Sequence, residues 1–182
     1  MEGKALVPLS IRRVYDGRIF SVAVESVTLH GGERLDVEVV RHPGSVVIVP
    51  VDDAGSIVLV RQYRHALGRW LWELPAGGLK PGEDPTQAAA RECQEETGYV
   101  AANVERLGAF FPTPGYCDEE MNFYLASGLR TAGPGDAPAH PDADEEIEVG
   151  TFTQAAIREM VASGDIIDLK TVAGLALATK GY

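Results

Sequence analysis

Glu92, Glu95 and Glu96 stand at i, i+3 and i+4 in the run from Ala88 to Gly98. On a helix that spacing puts three carboxylates on one face. Like charges so placed repel by about 0.2–0.5 kcal/mol per pair. A hard divalent cation, which prefers oxygen ligands, removes that cost. The bland alternative is a solvated acidic face, the usual fate of such charges. The helix itself is well marked. Asp84 can cap its N-terminus with Gln87 three residues on, Pro85 suits the first position, and Gly98 suits the residue past the end. Ala88, Ala89 and Ala90 between them are strong helix formers.

The wider spacing Gly77-x5-Glu83-x7-Arg91-Glu92-x-x-Glu95-Glu96-x-Gly98 fixes seven residues over 22 positions. It resembles the Nudix box, the signature of hydrolases that cleave nucleoside diphosphates linked to another group. Two positions that are usually aliphatic there carry Cys93 and Tyr99, both apolar enough to pack. The resemblance implies an α/β fold, an α/β/α sandwich around a mixed sheet. It also implies Mg²⁺ as cofactor, with Mn²⁺ as a possible substitute. Glu92 and Glu96 would be direct metal ligands, and Glu95 would hold a water or a further ion. Arg91 would orient these glutamates by ion pairing, with Glu83 in support.

Other segments resemble the ADP-ribose pyrophosphatase group of that family. Trp72-Glu73-Leu74-Pro75-Ala76-Gly77 leads into the box, and the resemblance makes the Ala76 main-chain carbonyl a third metal ligand. Without it, the segment is a strand ending at a turn. Pro114 and Glu119 fill the group's places in the loop after the box, and Tyr116 beside them is a loop aromatic or a sugar contact. Arg41 and Arg64 resemble arginines that grip the diphosphate, a task suited to a bidentate, permanently charged guanidinium. A glutamate on a loop near residues 142–148 acts on the attacking water in this group; the resemblance favours Glu145, with Asp144 or Glu146 as the alternatives. The group implies a homodimer in which N-terminal strands of one subunit meet the other's active site. Phe20 or Tyr15 there would stack on the adenine, since flat rings suit nucleobases.

The elements that must position these residues can be read in outline. Strands are expected over Ile19–Leu29 and Leu35–Val40, with a hairpin turn at His30–Glu33. His42-Pro43-Gly44 marks a boundary, dividing a small β-strand subdomain (1–42) from the main domain (43–182). Ser45–Val51 and Ser56–Gln62 are β-branched apolar runs, predicting a hairpin or adjacent buried strands. Short strands are expected at Leu71–Leu74, Val104–Phe111, Met121–Ala126 and Ile147–Phe152. Residues 131–143, rich in Pro, Gly and Ala, predict a flexible loop. Thr153–Ser163 is amphipathic, and Asp168 can cap a last helix through Ala178.

Composition narrows the classes. The chain has 182 residues and a formal net charge of −11, which disfavours nonspecific nucleic-acid binding. No apolar run has the length of a membrane helix or signal core, and two cysteines make no disulfide framework; this favours the cytoplasm. The four scattered histidines show no ligand spacing. The reading is therefore Mg²⁺-dependent hydrolysis of a nucleoside diphosphate sugar, ADP-ribose in the first place, to AMP and ribose 5-phosphate. The alternatives are another nucleotide sugar such as GDP-mannose, or a non-catalytic sensor that binds ADP-ribose.

Overall fold

The computed structural model describes residues 6–137 and 146–179. The chain divides into two compact units, 1–44 with 111–120, and 45–110 with 121–182. The loop 111–120 thus belongs with the N-terminal strands, a grouping between segments some 70 residues apart in the chain.

The N-terminal unit is a three-stranded antiparallel sheet, order β1-β2-β3, from β1 (Ser10–Asp16), β2 (Ser21–Thr28) and β3 (Arg34–Arg41). β1 extends the expected strands towards the N-terminus. In β2 the alternation is clean: Ala23, Glu25 and Val27 are buried while their neighbours are half-exposed. Every residue of β1 is exposed, Ile11, Val14 and Tyr15 among them.

The larger unit holds two sheets. One has order β7-β4-β9-β8, from β4 (Ser45–Pro50), β7 (Ala76–Gly78), β8 (Tyr99–Phe110) and β9 (Met121–Thr131). It is mixed: β4 and β9 run parallel, and the other pairs antiparallel. The other sheet is antiparallel, order β10-β5-β6, from β5 (Ile57–Arg64), β6 (Arg69–Glu73) and β10 (Ile147–Phe152). The two β-branched runs, expected as a hairpin or adjacent buried strands, are both buried strands but enter different sheets, so they do not pair as a hairpin. Only the single bridge Val51↔Ile57 joins their ends.

β4 is buried along its whole length, so its pleat feeds two cores. Val47 and Val49 meet Leu74, Phe123, Ile157 and Ile166, with residues of α2 (Gln154–Ser163) and α3 (Leu169–Ala178) packed against them. Val46 and Ile48 meet Ala88, Ala89 and Cys93 of α1 (Pro85–Thr97) and Tyr124. Helices thus cover both faces of a mixed sheet, the α/β sandwich expected. Each fully buried Val or Ile contributes about 1.5–3 kcal/mol by leaving water. On α1 the small residues Ala88 and Ala89 let the helix lie close to the sheet.

α1 follows its signals. The Asp84 side chain accepts from Thr86 N–H (3.0 Å) and Gln87 N–H (3.1 Å), Pro85 opens the helix, and Gly98 ends it at φ 75°. The loop expected over residues 131–143 begins as the end of β9. It then turns at 133–136, where Asp136 accepts from both ends of the Arg130 guanidinium and from Gly133 N–H. Residues 138–143 lie outside the described residues.

Candidate active site

α1 carries the acidic cluster on the side that meets β7. Glu92 and Glu96 are buried, and Glu95 is half-buried. Arg91 is bonded to three carboxylates, those of Glu83, Glu92 and Glu95. Arg91 Nη1 donates to Glu92 Oε1 (2.5 Å) and Glu95 Oε2 (2.6 Å), while its Nε and Nη2 donate to Glu83 at 2.8 and 2.9 Å. The Glu83 carboxyl, hydrogen-bonded by Arg91, is held at a pKa of about 2 although partial burial opposes this. The same bonds raise Arg91 above its ordinary value. Arg91 thus does what its place in the motif implied: it gathers three carboxylates around one guanidinium.

The backbone of β7 completes the group. The Ala76 N–H donates to Glu96 Oε2 at 3.1 Å. Glu92 lies directly over Gly77, where an added Cβ would be 2.1 Å from Glu92 Cδ. Only glycine admits the carboxylate there, and this accounts for the first residue of the motif. Glu92 and Glu96 are both folded onto the Ala76–Gly77 segment whose carbonyl is the third proposed ligand.

Among the described residues no three His, Cys, Asp or Glu side chains are disposed as a ready metal cage, since Arg91 stands between Glu92 and Glu95. The donor chemistry nevertheless suits a hard divalent ion. Glu92, Glu95 and Glu96 gather carboxylates on one side of α1, all donors are oxygen, and the Gly77 cradle presses a carboxylate against the main chain.

Arg64, at the end of β5, is held by Glu73 of β6. Its Nε donates to Oε1 at 2.8 Å and its Nη2 to Oε2 at 2.7 Å, a bidentate fork. Glu73 is 1% exposed. Burial pushes its carboxyl up, but Arg64 and Lys170 outweigh that and hold it below the usual range. Glu73 raises Arg64 in turn, and Glu96 adds to this from the acidic cluster, so Arg64 lies within electrostatic reach of the box helix. Glu73 and Lys170 were not anticipated in these roles. The signal available was a lone acid inside the apolar strand Trp70-Leu71-Trp72-Glu73-Leu74, since an unpaired buried carboxylate is not tolerated.

In the N-terminal unit Arg41 ends β3, with Nη1 donating to Asp118 at 2.9 Å and Nη2 to the buried Glu25. Asp118 also accepts from His42 N–H, and Val40 pairs with Tyr116 and Asp118 through the main chain. The loop carrying Pro114 and Glu119 is thereby laid beside Arg41, with Glu119 Oε1 3.8 Å from His42 Nδ1. Burial pushes Asp118 up, yet the Arg41 guanidinium and the His42 N–H keep it below its ordinary value. Phe20 and Tyr15 are exposed and tilted against each other, with centroids 5.7 Å apart. Tyr116 is exposed as well. Glu145 and Asp144 lie outside the described residues; Glu146 precedes β10, whose Glu148 pairs with Arg61 at 3.2 Å.

This combination of a carboxylate-bearing helix, a glycine cradle and a mixed sheet belongs to a known class. Residues 41–167 match the model of the NUDIX domain. The chain belongs to the Nudix family and is a hydrolase of it. It is 36% identical to an ADP-ribose pyrophosphatase of Bacillus subtilis over 87% of this chain and 84% of that protein. It is 40% identical to an ADP-ribose pyrophosphatase of Mycobacterium tuberculosis, over 92% of this chain and 80% of that one. In fold it matches a crystal structure of an ADP compounds hydrolase with a TM-score of 0.83 at 23% identity, covering 97% of this chain and 94% of the other.

Proposed function

We propose that the protein hydrolyses the diphosphate of ADP-ribose to AMP and ribose 5-phosphate with Mg²⁺ as cofactor. The observation that carries this reading is the seating of Glu92 and Glu96 on Ala76–Gly77, with Arg91 gathering Glu83, Glu92 and Glu95. The two ADP-ribose pyrophosphatases it resembles support the substrate. Glu92, Glu96 and the Ala76 carbonyl are the groups that would hold the ion, with Glu95 beside them. A divalent ion held there supplies positive charge against the diphosphate and lowers the pKa of water.

The chain's own residues do the rest. Arg64, fixed along its Nε–Nη2 edge by Glu73, keeps Nη1 for a phosphate oxygen; that atom has no hydrogen-bond partner among the described residues. Arg41 contributes a second guanidinium whose two ends rest on Glu25 and Asp118 until an anion competes for it. Phe20 offers a ring to the base, and Pro114 and Glu119 shape the sugar end. The residue that takes the proton of the attacking water is Glu145 in this reading, with Asp144 and Glu146 as its neighbours. Fixed positive charge at a developing oxyanion is the main source of rate in such chemistry.

The functional particle in this reading is a homodimer formed through the N-terminal strands, residues 1–42. Its support is the set of exposed apolar residues Val7, Leu9, Ile11, Val14 and Tyr15 on and before an edge strand. The cytoplasm is the setting that fits two free cysteines.

The test is incubation of the purified protein with ADP-ribose and Mg²⁺, GDP-mannose in parallel, and separation of products by ion exchange. AMP released preferentially from ADP-ribose, and abolished by EDTA, is the expected result. Preferential cleavage of GDP-mannose replaces the substrate, and tight binding without cleavage makes the protein a sensor.

A further inference from the structure

The first turn of α3 contains a charged group that the reaction as described does not use. Lys170, largely buried, sends Nζ to Glu73 Oε2 and to Asp168 Oδ2, the latter at 2.8 Å. Asp168 is the cap of α3: the same oxygen accepts from Thr171 N–H (3.0 Å) and Thr171 Oγ1 (2.6 Å). Thr171, fully buried, accepts in turn from Leu74 N–H at 2.8 Å. Gly174 lets α3 come this close, since a Cβ there would be 2.5 Å from Leu74 Cδ1. A closed circuit results, from Arg64 through Glu73, Lys170, Asp168 and Thr171 back to Leu74, the neighbour of Glu73. It contains two cations and two carboxylates, and Leu74 stands two residues before Ala76.

We infer that Lys170 is a positioning residue for this site: it shares the buried Glu73 carboxylate with Arg64, so that Arg64 is held by one edge and keeps Nη1 for the substrate diphosphate. The inference rests on the hydrolase reading, in which Arg64 grips that diphosphate. The physical ground is charge balance in a desolvated place. With Lys170 present, Glu73 and Asp168 are neutralised by two cations, and Arg64 owes nothing further to the protein. Without it, two poorly solvated carboxylates face a single guanidinium, and a buried charge left short of a partner draws in whatever cation can reach. Arg64 is that cation, and it leaves the substrate to answer. Lys170 therefore acts on substrate through Arg64 and does not touch it.

A double-mutant cycle separates this role from a general structural one. kcat and KM for ADP-ribose are measured for wild type, K170M, R64A and the double variant, with thermal unfolding and the Mg²⁺ concentration for half activity as controls. K170M is expected to lower kcat/KM about 10- to 100-fold in the wild-type background and less than about 2-fold when Arg64 is already absent. Its Mg²⁺ requirement should be unchanged. Should K170M not fold, K170Q, which keeps a donor for Glu73 but no charge, takes its place in the cycle with the same expected coupling. Losses that simply multiply, or a K170M enzyme with wild-type kcat/KM, overturn the inference while the wild type still cleaves ADP-ribose. A wild type that cleaves no nucleotide sugar overturns the hydrolase reading, and this inference falls with it.

Discussion

Gly77→Ala is the substitution that separates chemistry from stability most cleanly. Gly77 does not sit at positive φ, so alanine meets no backbone penalty. Its new methyl would lie 2.1 Å from Glu92 Cδ, 2.2 Å from Oε1 and 2.5 Å from Oε2. Ordinary contact begins at 3.4 Å, so the carboxylate must retreat by about 1.3 Å. The clash is with the far end of a flexible side chain, which can rotate away, so the fold survives. Restricting the unfolded chain even favours alanine by about 0.4–1 kcal/mol. What is lost is the seat of Glu92 on Ala76–Gly77. A misplacement of about 1 Å at a reacting centre costs on the order of 100-fold in rate. The assay is kcat on ADP-ribose across a Mg²⁺ titration, with a thermal melt of the same preparation. The expected result is an unchanged or slightly raised melting temperature, kcat reduced about 100-fold, and half-activation at higher Mg²⁺. A Gly77→Ala enzyme with wild-type kcat and Mg²⁺ requirement would refute the argument that Glu92 works from this cradle.

Further outcomes follow from the same geometry. Glu96→Gln should lower turnover by orders of magnitude with an intact fold by circular dichroism, and near-wild-type activity would remove Glu96 from the metal set. Glu83, lowered from 4.5 to about 2 by Arg91, contributes stability that is fully present above about pH 4.5 and is lost as pH falls towards 2. Urea melts should therefore show wild type more stable than Glu83→Gln at pH 5, with the gap closing by pH 2.5; a pH-independent gap contradicts the pairing. Thr171→Val keeps the shape but strands the buried Leu74 N–H, costing about 1–3 kcal/mol in a denaturant melt, and no loss would mean that bond is replaced. Light scattering should give twice the 19.5 kDa chain mass, and a monomer would overturn the dimer.

Much of the acidic site was legible because it is local. A helix repeats every 3.6 residues whatever surrounds it, so Glu92, Glu95 and Glu96 share a face as soon as α1 forms. Asp84, Pro85 and Gly98 mark its ends through their own backbone chemistry. Even the need for glycine at position 77 stands in the motif, though its cause, the carboxylate lying over it, does not. Where the chain's own neighbours settle the outcome, the amino-acid order is enough. Strand partnership is another matter. Ser45–Val51 and Ser56–Gln62 are both β-branched apolar runs with a turn between them, yet they enter separate sheets. Likewise Lys170 and Glu73 are 97 residues apart, and Arg41 and Asp118 are 77 apart. No local rule pairs them. Each buried carboxylate requires a cation, but which cation reaches it depends on where the sheets and helices come to rest. The residue types and spacing determined that the carboxylates of α1 share one face. The tertiary structure alone decided which charges hold the arginines, because desolvated charges choose their partners in space and not along the chain.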